Sequence, residues 1–177
     1  ITMKPSIILA ALTALLVSCG EKKATTEAKT LTVSPELKAV FVDRIADEAS
    51  PIHLARTTVQ PGDVVVLKGQ IMGAAEPFVD GRAAFILGDR AKLTPCNERP
   101  DDQCKTPWDA CCDTKEAFRE GTATIQIVGE DGRTLKQGLE GVEGLEKLTK
   151  ILVKGEVAEQ SGPGNLVVNA NSIQIVE

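Results

Sequence analysis

Histidine and aromatic side chains are nearly missing from this chain. Its 177 residues include one His (His53), one Trp, four Phe and no Tyr. A single imidazole leaves little material for a catalytic triad or a His-rich metal centre. No Gly-rich phosphate loop, G-x-S-x-G elbow or H-E-x-x-H pair occurs. Basic charge is also short: the net charge is -5, which argues against a broad electrostatic grip on nucleic acid or on an anionic membrane surface. The apolar run Ile7 to Val17 covers roughly 11 residues, where a membrane-spanning helix needs about 20. What the chain does have is a 42% hydrophobic composition, enough for a packed core, and a length that suits one domain with a tail.

The first residues read as an export signal. Met3-Lys4 supplies a short positive region, and the Ile7–Val17 run has the length of a signal-peptide core. The run closes on Leu16-Val17-Ser18-Cys19-Gly20. This segment resembles the lipobox of bacterial lipoproteins. The resemblance implies that residues 1–18 are removed and that Cys19 becomes an acylated first residue, palmitate among its chains. Two or three acyl chains anchor stably where one would not. Gly20 stands where an Asp would mark inner-membrane retention, so the expected address is the periplasmic face of the outer membrane. Residues 19–33 are polar, small and without periodicity, the composition of a flexible tether.

Ser34-Pro35-Glu36 then reads as an N-cap, a first-turn Pro and an acidic first turn. Leu37, Val40, Phe41 and Ile45 follow at helical spacing and predict a helix within 34–50. Ser50-Pro51 repeats the start signal for a second, short helix. From Asp63 the apolar period becomes two. Strands are expected at 64–71, 83–87, 122–128, 151–157 and from 166 onward, with a parity shift that predicts a bulge near Asn171-Ser172. Leu139 to Leu148 reads as a short, Gly-interrupted helix plugging the bottom of the β structure.

Five strands with a short helix between the third and fourth is the order of an OB-fold barrel. The fold class expected is therefore mainly β, with one or two N-terminal helices before a barrel domain spanning 51–177; another small barrel or sandwich is the alternative. Leu67-Lys68-Gly69-Gln70-Ile71 and Val153-Lys154-Gly155-Glu156-Val157 share a β-Lys-Gly-polar-β pattern. Gly inside a strand usually marks a sharp bend or a close approach of backbones, and Gly69 is expected to be where the first strand coils. The stretch from Ile52-His53-Leu54-Ala55-Arg56 through Gly69 resembles the entry of bacterial OB domains of the tRNA-anticodon-binding-like group.

Cys96, Cys104, Cys111 and Cys112 all fall in one loop, 92–118, with the spacing C-x7-C-x6-C-C. Three readings are open. Two disulfides could brace the loop, with Cys96 and Cys104 each taking one of Cys111 and Cys112, since neighbours rarely pair and an exported address favours oxidation. Four thiolates could instead hold zinc or a soft metal, although no C-x2-C knuckle is present. A redox-active pair is the third, weakened by the lack of C-x-x-C. Pro107-Trp108-Asp109-Ala110-Cys111-Cys112 resembles a segment of exported bacterial proteins with the same OB-like core and no assigned activity. It bears on the fold and the loop, and not on chemistry. Trp108, Ala110 and Phe118 are the expected apolar anchors of the loop, with Trp108 packing on the bridge cluster. His53 is expected to be a surface or capping residue.

These features together predict a non-catalytic envelope module, anchored to the bilayer through Cys19, that binds a small ligand or an envelope protein on an OB fold. No cofactor is expected. The alternative is a metal-binding or thiol-redox protein that uses the Cys96, Cys104, Cys111 and Cys112 loop, with zinc or a soft metal as its cofactor.

Overall fold

The computed structural model describes residues 33–100 and 103–176. The expected signal peptide 1–18, the acylation site Cys19, the tether short of Val33, and Asp101-Asp102 lie outside the described residues. A boundary divides the chain between Leu31 and Thr32, and the account below concerns the second unit.

The domain is mainly β. In chain order it contains α1 (Pro35–Lys38), β1 (Ser50–Pro51), α2 (Ile52–Ala55), β2 (Val64–Ile71), β3 (Ala84–Gly88), α3 (Lys115–Gly121), β4 (Thr122–Gln126), β5 (Lys150–Val157) and β6 (Val167–Val176). The sheet order is β1-β2-β3-β4-β6-β5, and β5 returns to pair with β2. Five strands therefore close into an OB-fold-like barrel. All of its seams are antiparallel except the parallel β4–β6 pair. The two-residue β1 lies parallel to β2 at Leu67-Lys68, along an edge that β3 does not reach.

Alternation explains the strands. In β4, Ala123 and Ile125 face inward while Thr122, Thr124 and Gln126 face outward, and β5 buries Ile151, Val153, Gly155 and Val157 on the same rule. Fully enclosed Leu67, Phe85, Ile125, Val153, Val168 and Ile173 fill the barrel. Each such side chain contributes about 1.5–3 kcal/mol by leaving water.

The two in-strand glycines sit where backbones crowd. β2 pairs with β5 along Val64–Gln70 and turns to β3 at Gln70-Ile71. A Cβ on Gly69, at that switch, would lie 2.7 Å from Leu87 Cγ and 2.8 Å from the Gly88 carbonyl. A Cβ on Gly155 would lie 2.8 Å from Val168 Cγ1 and closer still to the Asn169 carbonyl oxygen. Opposite Gly155 the register steps from Ser172 to Ala170, which leaves Asn171 as the extra residue of a bulge.

Two helical expectations are corrected. The helix within 34–50 is a single turn, Pro35–Lys38, capped by Ser34, whose Oγ accepts from the Leu37 N–H. The chain then runs alongside β6: Val42 N–H donates to the Ile173 carbonyl at 2.9 Å, and Ile173 N–H to the Val40 carbonyl at 2.8 Å. Leu37, Val40 and Ile45 are buried all the same, because a turn followed by a docked extended segment satisfies the same spacing. The expected 139–148 helix is one 3-10 turn, Val142–Gly144. Gly141 and Gly144 take positive φ there, and so do Glu143 and Leu148. Leu139, Val142 and Leu145 still join the barrel core. Helix α3 was not expected. Thr114 caps it by accepting from the Ala117 N–H, and it carries the long loop back to β4.

Candidate functional site

The connection from β3 to β4 holds all four cysteines of the domain. Its tip is a β-turn, Thr106-Pro107-Trp108-Asp109, closed by the Asp109 N–H on the Thr106 carbonyl at 2.9 Å. Pro at the second position pre-sets the backbone for such a turn. The limb after the turn is zipped to the limb before it: Cys96 N–H donates to the Asp109 carbonyl at 2.7 Å, and Asn97 N–H to the Pro107 carbonyl at 3.0 Å. Asp113 completes the frame. Its carboxylate accepts from the Thr94 N–H at 2.9 Å and pairs with Arg99. These bonds set Cys111, two residues past the turn, against Cys96.

Three sulfurs converge as a result. Cys111 Sγ lies 3.6 Å from Cys96 Sγ and 3.8 Å from Cys104 Sγ, and all three lie within 4.8 Å of one another. Cys96 is buried, Cys104 half-buried and Cys111 exposed, so the triangle opens toward solvent on one side. Cys112, also exposed, is outside this group. A disulfide requires sulfurs about 2.05 Å apart. The two bridges expected from the spacing, Cys96 and Cys104 each to one of Cys111 and Cys112, are therefore not formed in this structure, and three of the four sulfurs gather instead. The reason is that Cys96 and Cys104 both approach the same partner, Cys111.

The sulfurs differ electrostatically. The Thr106 hydroxyl, 3.3 Å from Cys104 Sγ, is the main cause holding the Cys104 thiol below its ordinary value, with the Thr106 backbone and Cys111 adding to it. Cys111 moves the other way. Its contact with Cys96 lowers it, but Cys104, desolvation and Cys112 outweigh that contact and push it up. Arg99 is raised, first by its bond to Asp113. The Arg99 guanidinium is held by the Asp113 carboxylate.

The loop is fixed to the barrel by Trp108 and by a small apolar cluster. Trp108 Nε1–H donates to the Ala75 carbonyl at 2.8 Å, its own carbonyl accepts from the Gly73 N–H, and Lys147 Nζ sits 4.4 Å above its ring. Trp108 is only half-buried. The enclosed residues under the loop are Met72, Leu93 and Ala110, with Phe118 and Ala117 packed around them. Trp108 straps the loop down; Ala110 is the fully buried anchor.

Two further polar arrangements lie elsewhere. Asp89, 3% exposed, accepts from the His53 N–H at 2.9 Å, from His53 Nδ1 at 2.7 Å and from the Ala91 N–H at 2.9 Å. Burial works to raise the Asp89 carboxyl, but the His53 and Ala91 donors prevail and hold it below the usual carboxylate range. His53 is thus the partner of a buried carboxylate that ties the start of α2 to the exit of β3. Sequence reasoning missed Asp89, and no local signal marks it. The second arrangement is a cleft of about 510 Å3 between α2 and the β5–β6 loop, lined by Arg56, Gln60, Pro61, Val157, Ser161 and Leu166. Arg56 donates to the Thr122 carbonyl, and its Nε and Nη1 are buried with no hydrogen-bond partner among the described residues.

Comparison of the chain with protein-family models, with curated protein sequences and with solved structures gives no match.

Proposed function

We propose that this chain is a bacterial lipoprotein, held at the periplasmic face of the outer membrane by acyl chains on Cys19, whose barrel is a non-catalytic binding or scaffold module. The observation that carries the reading is the cleft against the loop between the fourth and fifth barrel strands, beside Arg56 and Ser161. OB barrels use that loop, with the one between their first and second strands, to bound ligands. The occupant is a small ligand or a segment of an envelope protein. Single-stranded nucleic acid fits poorly. The barrel's own aromatics, Phe78 and Phe85, are buried against each other with ring centroids 6.0 Å apart, and the chain is net acidic. Stacking and a basic groove are what such strands require. Replacing Cys19 by Ala tests the anchor: the variant is expected in the soluble fraction without acyl label. A Cys19→Ala chain that still sediments with membranes and resists salt extraction refutes the reading.

A second reading, metal binding or thiol redox chemistry at the cysteine loop, is favoured by the convergence of Cys96, Cys104 and Cys111. Under its redox form, Cys111 closes on either Cys96 or Cys104.

A further inference from the structure

We infer that Cys96, Cys104 and Cys111 form a three-thiolate site for one soft d10 cation, zinc(II) or copper(I), with a fourth position open to solvent and with Cys112 outside the ligand set. The inference deepens the second reading and rests on it. It selects metal over redox, three ligands over four, and names the three.

Sulfur spacing is the first argument. Three sulfurs each about 2.3 Å from a tetrahedral ion lie about 3.8 Å apart. The pairs that involve Cys111 are at 3.6 and 3.8 Å, and no pair exceeds 4.8 Å. This separation is too long for a disulfide and close to that of ligands sharing an ion. Thiolates select soft cations over the hard, oxygen-seeking ones.

The frame around the sulfurs is the second argument. Cys96 and Cys111 are held from two limbs cross-linked by backbone hydrogen bonds, so ion binding would not have to order the chain first. The Thr106 hydroxyl beside Cys104 can donate to a thiolate, the kind of outer contact that orients and tunes a metal ligand. Binding one zinc(II) by three thiols releases three protons to solvent and leaves a complex of charge -1.

The open side is the third argument. Cys96 forms the buried floor, while Cys104 and Cys111 form the rim. A site with three protein ligands that faces solvent keeps a coordination position for water or an external donor, unlike a closed structural site with four. Cys112 adjoins Cys111 in the chain but stands apart from the other two sulfurs.

The test uses the full mature chain, reduced and stripped of metal, titrated with cadmium(II) as a spectroscopic probe and with zinc(II) against a chelator of known affinity. One equivalent is expected to bind, with a thiolate-to-metal charge-transfer band of the intensity of three thiolates. Cys111→Ser, a substitution at an exposed position, is expected to weaken zinc binding by at least about 100-fold, since even outer-shell changes cost 10–100-fold. Cys112→Ser is expected to leave affinity and band unchanged, and melting curves show whether both variants fold. A band of two or four thiolates, equal weakening by Cys112→Ser, or no band at all overturns the proposal. Mass analysis of the chain as isolated from cells, alkylated without reductant, separates the two levels. Four reactive thiols that bind no added metal defeat the metal site and leave the redox form standing. Two unreactive disulfides defeat both.

Discussion

Gly155 gives the sharpest test of how this barrel closes. It lies in β5 opposite the bulge of β6, and its φ is not in the left-handed region. Substitution by Ala therefore adds volume without backbone strain. The added methyl would meet the Asn169 carbonyl oxygen well inside contact distance, with Asn169 C and Val168 Cγ1 each at 2.8 Å. Two of these three atoms are backbone and cannot rotate away, so β5 and β6 must part. Overpacking of this kind costs about 1–3 kcal/mol, and a backbone clash belongs at the top of that range. Ala also stiffens the unfolded chain, which returns about 0.4–1 kcal/mol. The net loss is about 2 kcal/mol, or a fall of about 6 °C in Tm for a domain of this size. Gly162→Ala is the control, since nothing lies within 4 Å of its Cβ position, and its Tm is expected to stay within about 2 °C of wild type. Gly69→Ala should fall between them, because Leu87 can yield where the Gly88 carbonyl cannot. Calorimetric melts of the three variants decide the matter. A Gly155→Ala domain that melts with the wild type, or a Gly162→Ala domain that falls as far, refutes the reasoning.

Two other perturbations address the loop and the buried carboxylate. Asp89 ionises more readily folded than unfolded, so its stabilising share is complete above the ordinary carboxylate range and is lost as pH falls through the lower folded value. Asp89→Asn is accordingly expected to cost about 2 kcal/mol at neutral pH and progressively less as the pH falls below the ordinary carboxylate range; a gap between the two melting curves that does not change with pH sinks that account. Trp108→Ala removes the bond to Ala75 and the contact with Lys147, together worth about 2 kcal/mol. Hydrogen exchange should speed up at residues 96–113 while β2, β5 and β6 keep their protection, and uniform loss of protection across the barrel would contradict the strapping role.

The barrel was legible because period-two alternation leaves few alternatives: Ala123, Ile125, Ile151 and Val153 can only face one way. The glycines were legible too, since the repeated Lys-Gly pattern at Gly69 and Gly155 makes no sense in an open, flat strand. The helix predicted within 34–50 failed for a general reason. Leu37, Val40 and Ile45 record that one side of the chain is buried, and not what it is buried against; docking on Ile173 supplied a better partner than further helical turns. At 139–148, glycines every third residue bend the backbone into left-handed steps that an apolar spacing of three does not reveal. In the loop, the four cysteines could be counted but the convergent three could not. That selection depends on the Asp109–Cys96 bond, which is set by a turn and not by spacing. The His53–Asp89 pair spans 36 positions and leaves no periodic trace.

Strand β6 supplies two of the five barrel seams, one to β4 and one to β5. Every other barrel strand precedes it in the chain. Synthesis from the N-terminus thus leaves an unclosed sheet, with β4 and β5 both offering bare edges, until β6 has emerged. The Val40–Val42 segment, released more than a hundred residues earlier, must wait for the same strand before it has anything to dock on. Closure is therefore a terminal event that joins the first and last parts of the domain in one step. A chain built this way cannot close its barrel until the last of its five barrel strands is in place.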